Sequence, residues 1–102
     1  MKTKKWHDTL IEILNDPEEA AGYLNAALEE GDPKMFLVAL RNVAEACGGM
    51  RHLSRATQLN RANLHRMLSH NGNPEVRTLR LLLDSFGLRL AVAPKDTRRR
   101  AA

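Results

Sequence analysis

The chain has one cysteine, Cys47, and four aromatic residues, Trp6, Tyr23, Phe36 and Phe86, in 102 residues. A single thiol excludes an intramolecular disulfide and supplies no pair of soft metal ligands, a usage that fits a reducing compartment. Few aromatics make for a mainly aliphatic core, and leucine-rich segments poor in β-branched residues favour helices over a sheet sandwich. Apolar runs are short. All of them, residues 81–83 included, fall far below the ~20 residues that span a bilayer. Residues 1–5 lead into no apolar stretch of the signal-peptide kind. These absences predict a cytoplasmic protein with no membrane-spanning segment.

The signatures of catalysis are missing as well. There is no HExxH, no glycine-rich phosphate loop, and no Ser, His and acid arrangement that spacing supports. His65 and His70 stand five apart, an interval that puts them on different faces of a helix and argues against a metal site. Cys47 falls on the apolar side of its segment, where a small core residue is expected rather than a nucleophile. The expectation is a protein without enzymatic activity or cofactor. Its length allows one modest core and one domain.

What is present is charge, unevenly divided. The formal net charge is +4. Residues 1–40 hold eight acidic side chains against four lysines, whereas residues 41–102 hold eleven arginines and one lysine against four acids. An arginine excess alone is often a solvated face, and it gains meaning only where it coincides with a motif.

Helix boundaries follow from punctuation. The pairs Asp16-Pro17, Asp32-Pro33 and Asn73-Pro74 each offer an N-cap side chain and a proline at the first helical position, where its missing N–H costs nothing. Gly31 and Gly87 stand where C-terminal caps are expected. Between these marks the sequence predicts helices at about 17–30, 33–47, 50–57, 61–70 and 75–86. Phe36, Leu40, Val43, Ala44 and Cys47 recur at helical spacing in the second, and Val76, Leu79, Leu82, Leu83 and Phe86 in the last. After Gly87, the alternation of Leu88, Leu90 and Val92 against Arg89 and Ala91 predicts a short strand ended by Pro94. It would pair with a symmetry mate or another protein, or pack as a tail on its own domain; the pattern leaves these open. The expected fold is all-α, five helices with a short C-terminal β-strand. Residues 1–14 form an N-terminal extension, 15–94 the domain, and 95–102 a basic flexible tail containing Arg98, Arg99 and Arg100.

The third and fourth of those helices carry the functional signal. Residues 49–67 read GMRHLSRATQLNRANLHRM, a short helix, a tight turn and a second helix. Leu53, Leu59, Leu64 and Met67 can pack inward while the polar residues between them stay free, the layout of a DNA-reading helix-turn-helix. Asn60 should cap the second helix and bring Arg61, Ala62 and Asn63 nearest the floor of the major groove. Arg61 can donate two hydrogen bonds to guanine and Asn63 can pair bidentately with adenine. His65 and Arg66 lie one turn later. Arg51, His52 and Arg55 are expected to hold phosphates and fix orientation. For any of these residues the plain alternative is mere exposure. One reader helix touches few base pairs, so useful specificity predicts a homodimer on double-stranded operator DNA, joined through residues 88–92 or the apolar face of the last helix.

Residues 16–94 resemble the addiction-module antidote proteins, small helix-turn-helix antitoxins paired with toxins of the RelE/HigB type. The resemblance is carried by DPEEAAGYLNAALEEGDPKMFLVALRNVAEACGGM, by the reader, and by NGNPEVRTLRLLLDSFGLRLAV, with the EEGDP junction, the GNP start and the FGLRL exit as its specific marks. It implies a repressor-like fold, recognition of the protein's own operator, and neutralisation of a cognate RelE/HigB-type toxin. The alternative is a standalone helix-turn-helix transcriptional regulator without a toxin partner. Gln58 occupies the turn position where such motifs place glycine, and an L-residue at positive φ there costs roughly 1 kcal/mol. Residues 1–14 fall outside the resemblance. Because the resemblance implies a basic toxin, Glu18, Glu19, Glu29, Glu30 and Asp32 would favour the complex, or simply form a solvated face. Trp6 is an anchor at a partner interface or folds back on its own core; the sequence does not choose.

Overall fold

The computed structural model describes residues 2–95, with side chains from residue 5 onward. The three arginines expected in a flexible tail lie outside the described residues. Among the described residues six helices follow one another: α1 (Lys2–Leu14), α2 (Pro17–Glu30), α3 (Pro33–Ala46), α4 (Gly49–Thr57), α5 (Arg61–Met67) and α6 (Val76–Ser85).

This corrects the five-helix fold with a terminal strand at both ends of the chain. The additional helix is α1, built on the segment the resemblance left out. Leu10 and Leu14 stand one turn apart on its inner side; Leu14 is buried and Leu10 packs against the core, and the helix lies on α2 and α3. Trp6 faces outward at 71% exposure, so it does not fold back on the core. His7 Nε2 meets Glu45 Oε1 at 3.0 Å, a tie between α1 and α3 made on the surface and worth little for that reason.

At the other end, no strand occurs among the described residues. The chain leaves α6 through Gly87 at φ 81°, the Leu88 N–H donates to the Leu83 carbonyl at 2.8 Å, and Leu88 settles against the core. Leu90 and Val92 remain exposed. A strand exists only through a ladder of partners, and among the described residues every regular element is a helix, so the alternation in the sequence meets no strand of this chain there.

Local chemistry explains the helices. Asp16 and Asp32 adopt extended backbone and accept from Glu18 N and Lys34 N, each at 3.0 Å, with Pro17 and Pro33 in the first turn. Gly31 ends α2 at φ 81°. The third Asx-Pro pair behaves differently. Asn73 and Pro74 stay in the connection, and α6 starts at Val76 after Glu75, without a side-chain cap. Val76, expected in the core, is correspondingly 65% exposed.

The core is aliphatic: Leu14, Leu24, Leu37, Leu40, Val43, Leu53, Leu64, Leu68, Leu82 and Leu83, closed by Phe86. Burying each such side chain stabilises the fold by about 1.5–3 kcal/mol. Arg41, half-buried on α3, donates to the Leu68 carbonyl just past α5 and so ties the end of that short helix to the central one. The loop beyond α5 folds back tightly. A Cβ on Gly72 would lie 2.0 Å from the Met67 carbonyl oxygen and 2.8 Å from that of Arg66, so backbone fills the space a side chain would need.

Candidate nucleic-acid interface

Helices α4 and α5 are joined by the turn Gln58, Leu59 and Asn60. Gln58 sits at φ 60°, ψ 26°, the only non-glycine residue at positive φ among the described residues. The strain expected from the sequence is thus present. The turn is held by hydroxyls that spacing did not single out. Thr57 Oγ1 donates to the Leu53 carbonyl at 2.7 Å and accepts from Leu59 N at 3.3 Å, while Ser54 Oγ donates to the Leu59 carbonyl. Two short hydroxyl side chains in the last turns of the helix before the bend are the available signal.

The inner side is as the spacing predicts: Leu53 and Leu64 are buried, and Leu59 and Met67 pack half-buried against the core. Leu68, which the sequence did not single out, is fully buried beside them. On the outside, Arg51, His52, Arg55, Asn60, Arg61, Ala62, Asn63, His65 and Arg66 are all exposed. Two elements carry them. Arg51, His52 and Arg55 are on α4, and the other six cap or line α5.

Asn60 takes the capping role expected of it. Its Oδ1 accepts from Ala62 N at 2.8 Å and Asn63 N at 3.2 Å, satisfying two backbone donors of the first turn. Asn63 Oδ1 accepts a hydrogen bond from the Arg66 guanidinium three residues later, which leaves its second lone pair and its amide nitrogen open.

The electrostatics of the pair of helices are one-sided. Residues 46–74 contain Arg51, Arg55, Arg61 and Arg66 and no aspartate or glutamate. That acid-free run is legible in the sequence and marks the electrostatic footprint more sharply than the contrast between the halves of the chain. No group of three or more His, Cys, Asp or Glu placed to hold a metal occurs among the described residues. Burial raises the Cys47 thiol above its ordinary pKa, which keeps it protonated and poorly nucleophilic at neutral pH. No helix among the described residues is long and apolar enough to cross a membrane.

Comparison with known proteins bears on the whole arrangement. A family model described as "probable addiction module antidote protein" matches residues 4–94. The match takes in most of α1, which the sequence resemblance had left outside. An uncharacterized protein of Haemophilus influenzae is 32% identical over 83 residues, covering 81% of this chain and 84% of that relative. No solved structure matches. The chain belongs to the family of probable addiction module antidote proteins, and the role that membership supports is that of an antitoxin with a toxin of some kind as its partner.

Proposed function

We propose that this protein neutralises a RelE/HigB-type toxin and represses its own operon in the cytoplasm, binding double-stranded operator DNA as a homodimer through α4 and α5. One observation carries the DNA half of this reading: two short helices on a leucine base present nine exposed site residues in a stretch free of acids. Helix α5 enters the major groove, with Arg61, Ala62 and Asn63 in its first turn toward the base edges and His65 and Arg66 behind them. Arg51, His52 and Arg55 on α4 contact phosphates and set the orientation.

A seven-residue helix spans too few base pairs to select one site in a genome, so two copies read half-sites about 34–36 Å apart, one turn of DNA. The exposed acids Glu18, Glu19, Glu29, Glu30 and Asp32 lie on or beside α2, away in sequence from the basic reader. That separation supports a protein that meets a basic toxin with one part and DNA with another.

The test combines two assays. The neighbouring reading frame is induced in cells with and without this protein, the pair is co-purified, and the free protein is titrated against the DNA upstream of its gene. Relief of toxicity, a stable complex and a sequence-specific shift are the expected results. A shift without toxicity or complex would replace the antitoxin by a standalone regulator, and a complex without a shift would remove the DNA half.

A further inference from the structure

The inner side of α6 is taken up by the core, through Leu82, Leu83 and, just beyond the helix, Phe86. Outside, an open groove runs between α6 and the chain that follows it, with Val76, Arg77, Leu81 and Asp84 on the helix and Leu88 and Leu90 on the later segment. Val76 is 65% and Leu90 44% exposed. Arg77, Arg80 and Asp84 are exposed as well, and the ion pair among the described residues is that of His7 with Glu45, so Asp84 meets no cation of its own chain. None of the nine reader residues lines this groove.

The order of charges along α6 suits a second copy laid against it in reverse. Arg77 and Asp84 stand seven residues apart, two turns along one face of the helix, with Arg80 and Leu81 between them. In an antiparallel two-fold contact centred between Arg80 and Leu81, Arg77 of each copy lies across from Asp84 of the other. Each Leu81 then receives the aliphatic stem of the other Arg80, whose guanidinium stays in water. The same reversal brings Val76 to the end of the second helix that Leu88 and Leu90 follow, and Glu75 to the end that Arg89 follows. A two-fold interface must be complementary to itself. A face of one charge sign is not, and this sets aside α2, which carries Glu18, Glu19, Glu29 and Glu30 and no lysine or arginine.

We infer that the exposed side of α6 joins two copies of this chain, through reciprocal ion pairs of Arg77 with Asp84 and through Val76 seated beside Leu88 and Leu90 of the other copy. The inference rests on the homodimer proposed above and names the surface that forms it. The reader residues on α4 and α5 stay uncovered in such a dimer, and the acids of α2 stay available to a basic partner.

Charge reversal tests it. The native protein, Arg77→Asp, Asp84→Arg and the double variant are compared by sedimentation equilibrium over a range of concentrations, with far-UV circular dichroism to follow helix content. Each single reversal turns two attractive pairs into two repulsive ones and should raise the dimer dissociation constant by about tenfold. Both place an acid near the start of α6 or a cation near its end, which the helix dipole favours, so neither threatens the fold. The double variant restores opposite charges across the two-fold and should recover the native dimer, which a merely structural role for either residue would not give. Val76→Asp, at an exposed position, should weaken the dimer without loss of helix. A native dimer indifferent to the single reversals, or weakened by them and not recovered in the double variant, would overturn the inference while leaving the homodimer in place. A native protein that stays monomeric, free and on operator DNA, would overturn both.

Discussion

Two residues of the reader show how far side-chain chemistry alone was legible. Arg61 is exposed at the first position of α5, and with five donors and no acceptor it suits guanine under any side-chain arrangement. Arg61→Ala should relax sequence preference at one base by about 1–3 kcal/mol, read by competition between matched and mismatched duplexes. For Asn63 the residue type suggests adenine, and the i, i+3 contact with Arg66 holds the amide on the helix surface without using up its oxygen. Spacing reveals that the two side chains can meet, but only a side-chain conformation shows that the amide turns its oxygen toward Arg66. Gln58 was legible from its place in the motif, and its φ of 60° agrees. Gln58→Gly should stabilise the fold by about 0.5–1 kcal/mol, measured by urea denaturation, as the strain removed outweighs the added freedom of the unfolded chain. A loss of stability would mean that the glutamine side chain contributes more than its backbone costs.

Among the elements, α2, α3 and α5 begin at their expected starts, because caps and prolines are local signals that tertiary packing did not override, and α4 begins within a residue of its own although Gly48 before it supplies no side-chain cap. Where the reading failed, the deciding cause was not local. The Asn73-Pro74 pair has the composition of a helix start but stays in the connection beside the tight approach at Gly72, so α6 begins at Val76, one residue past its expected start, without the Asn73 cap. Helix α1 has no such pair before it, and its identity depends on the buried contact of Leu14. Removing the caps separates the cases. Asp16→Ala and Asp32→Ala should each cost about 1 kcal/mol in thermal or urea unfolding, whereas Asn73→Ala should be nearly silent. A comparable loss at Asn73 would show that it contributes to the start of α6 after all.

For the whole molecule the consequential property is the separation of charge along the chain, acidic through α2 and basic through α4 and α5. Charge that faces phosphate releases counterions, so affinity for DNA should fall steeply with salt. If Arg51 and Arg55 of each protomer contact phosphates in a dimer, log K against log salt should have a slope of about −4, reduced by about 2 in Arg55→Ala. Titrations between low and moderate salt give both values. Equal weakening of all sequences by that substitution, unlike the base-specific loss at Arg61, distinguishes an anchoring contact from a reading one. An Arg55→Ala protein with unaltered slope would take α4 off the backbone.

The close approach at Gly72 also constrains how this protein can vary over generations. Any other amino acid places a Cβ against the Met67 carbonyl, so codon changes at this position meet one barrier regardless of the chemistry they introduce. At Gln58 the backbone instead welcomes glycine. A randomly mutated gene passed through survival under toxin induction should therefore leave position 72 invariant and let position 58 drift, two opposite histories written by the turns on either side of one short helix.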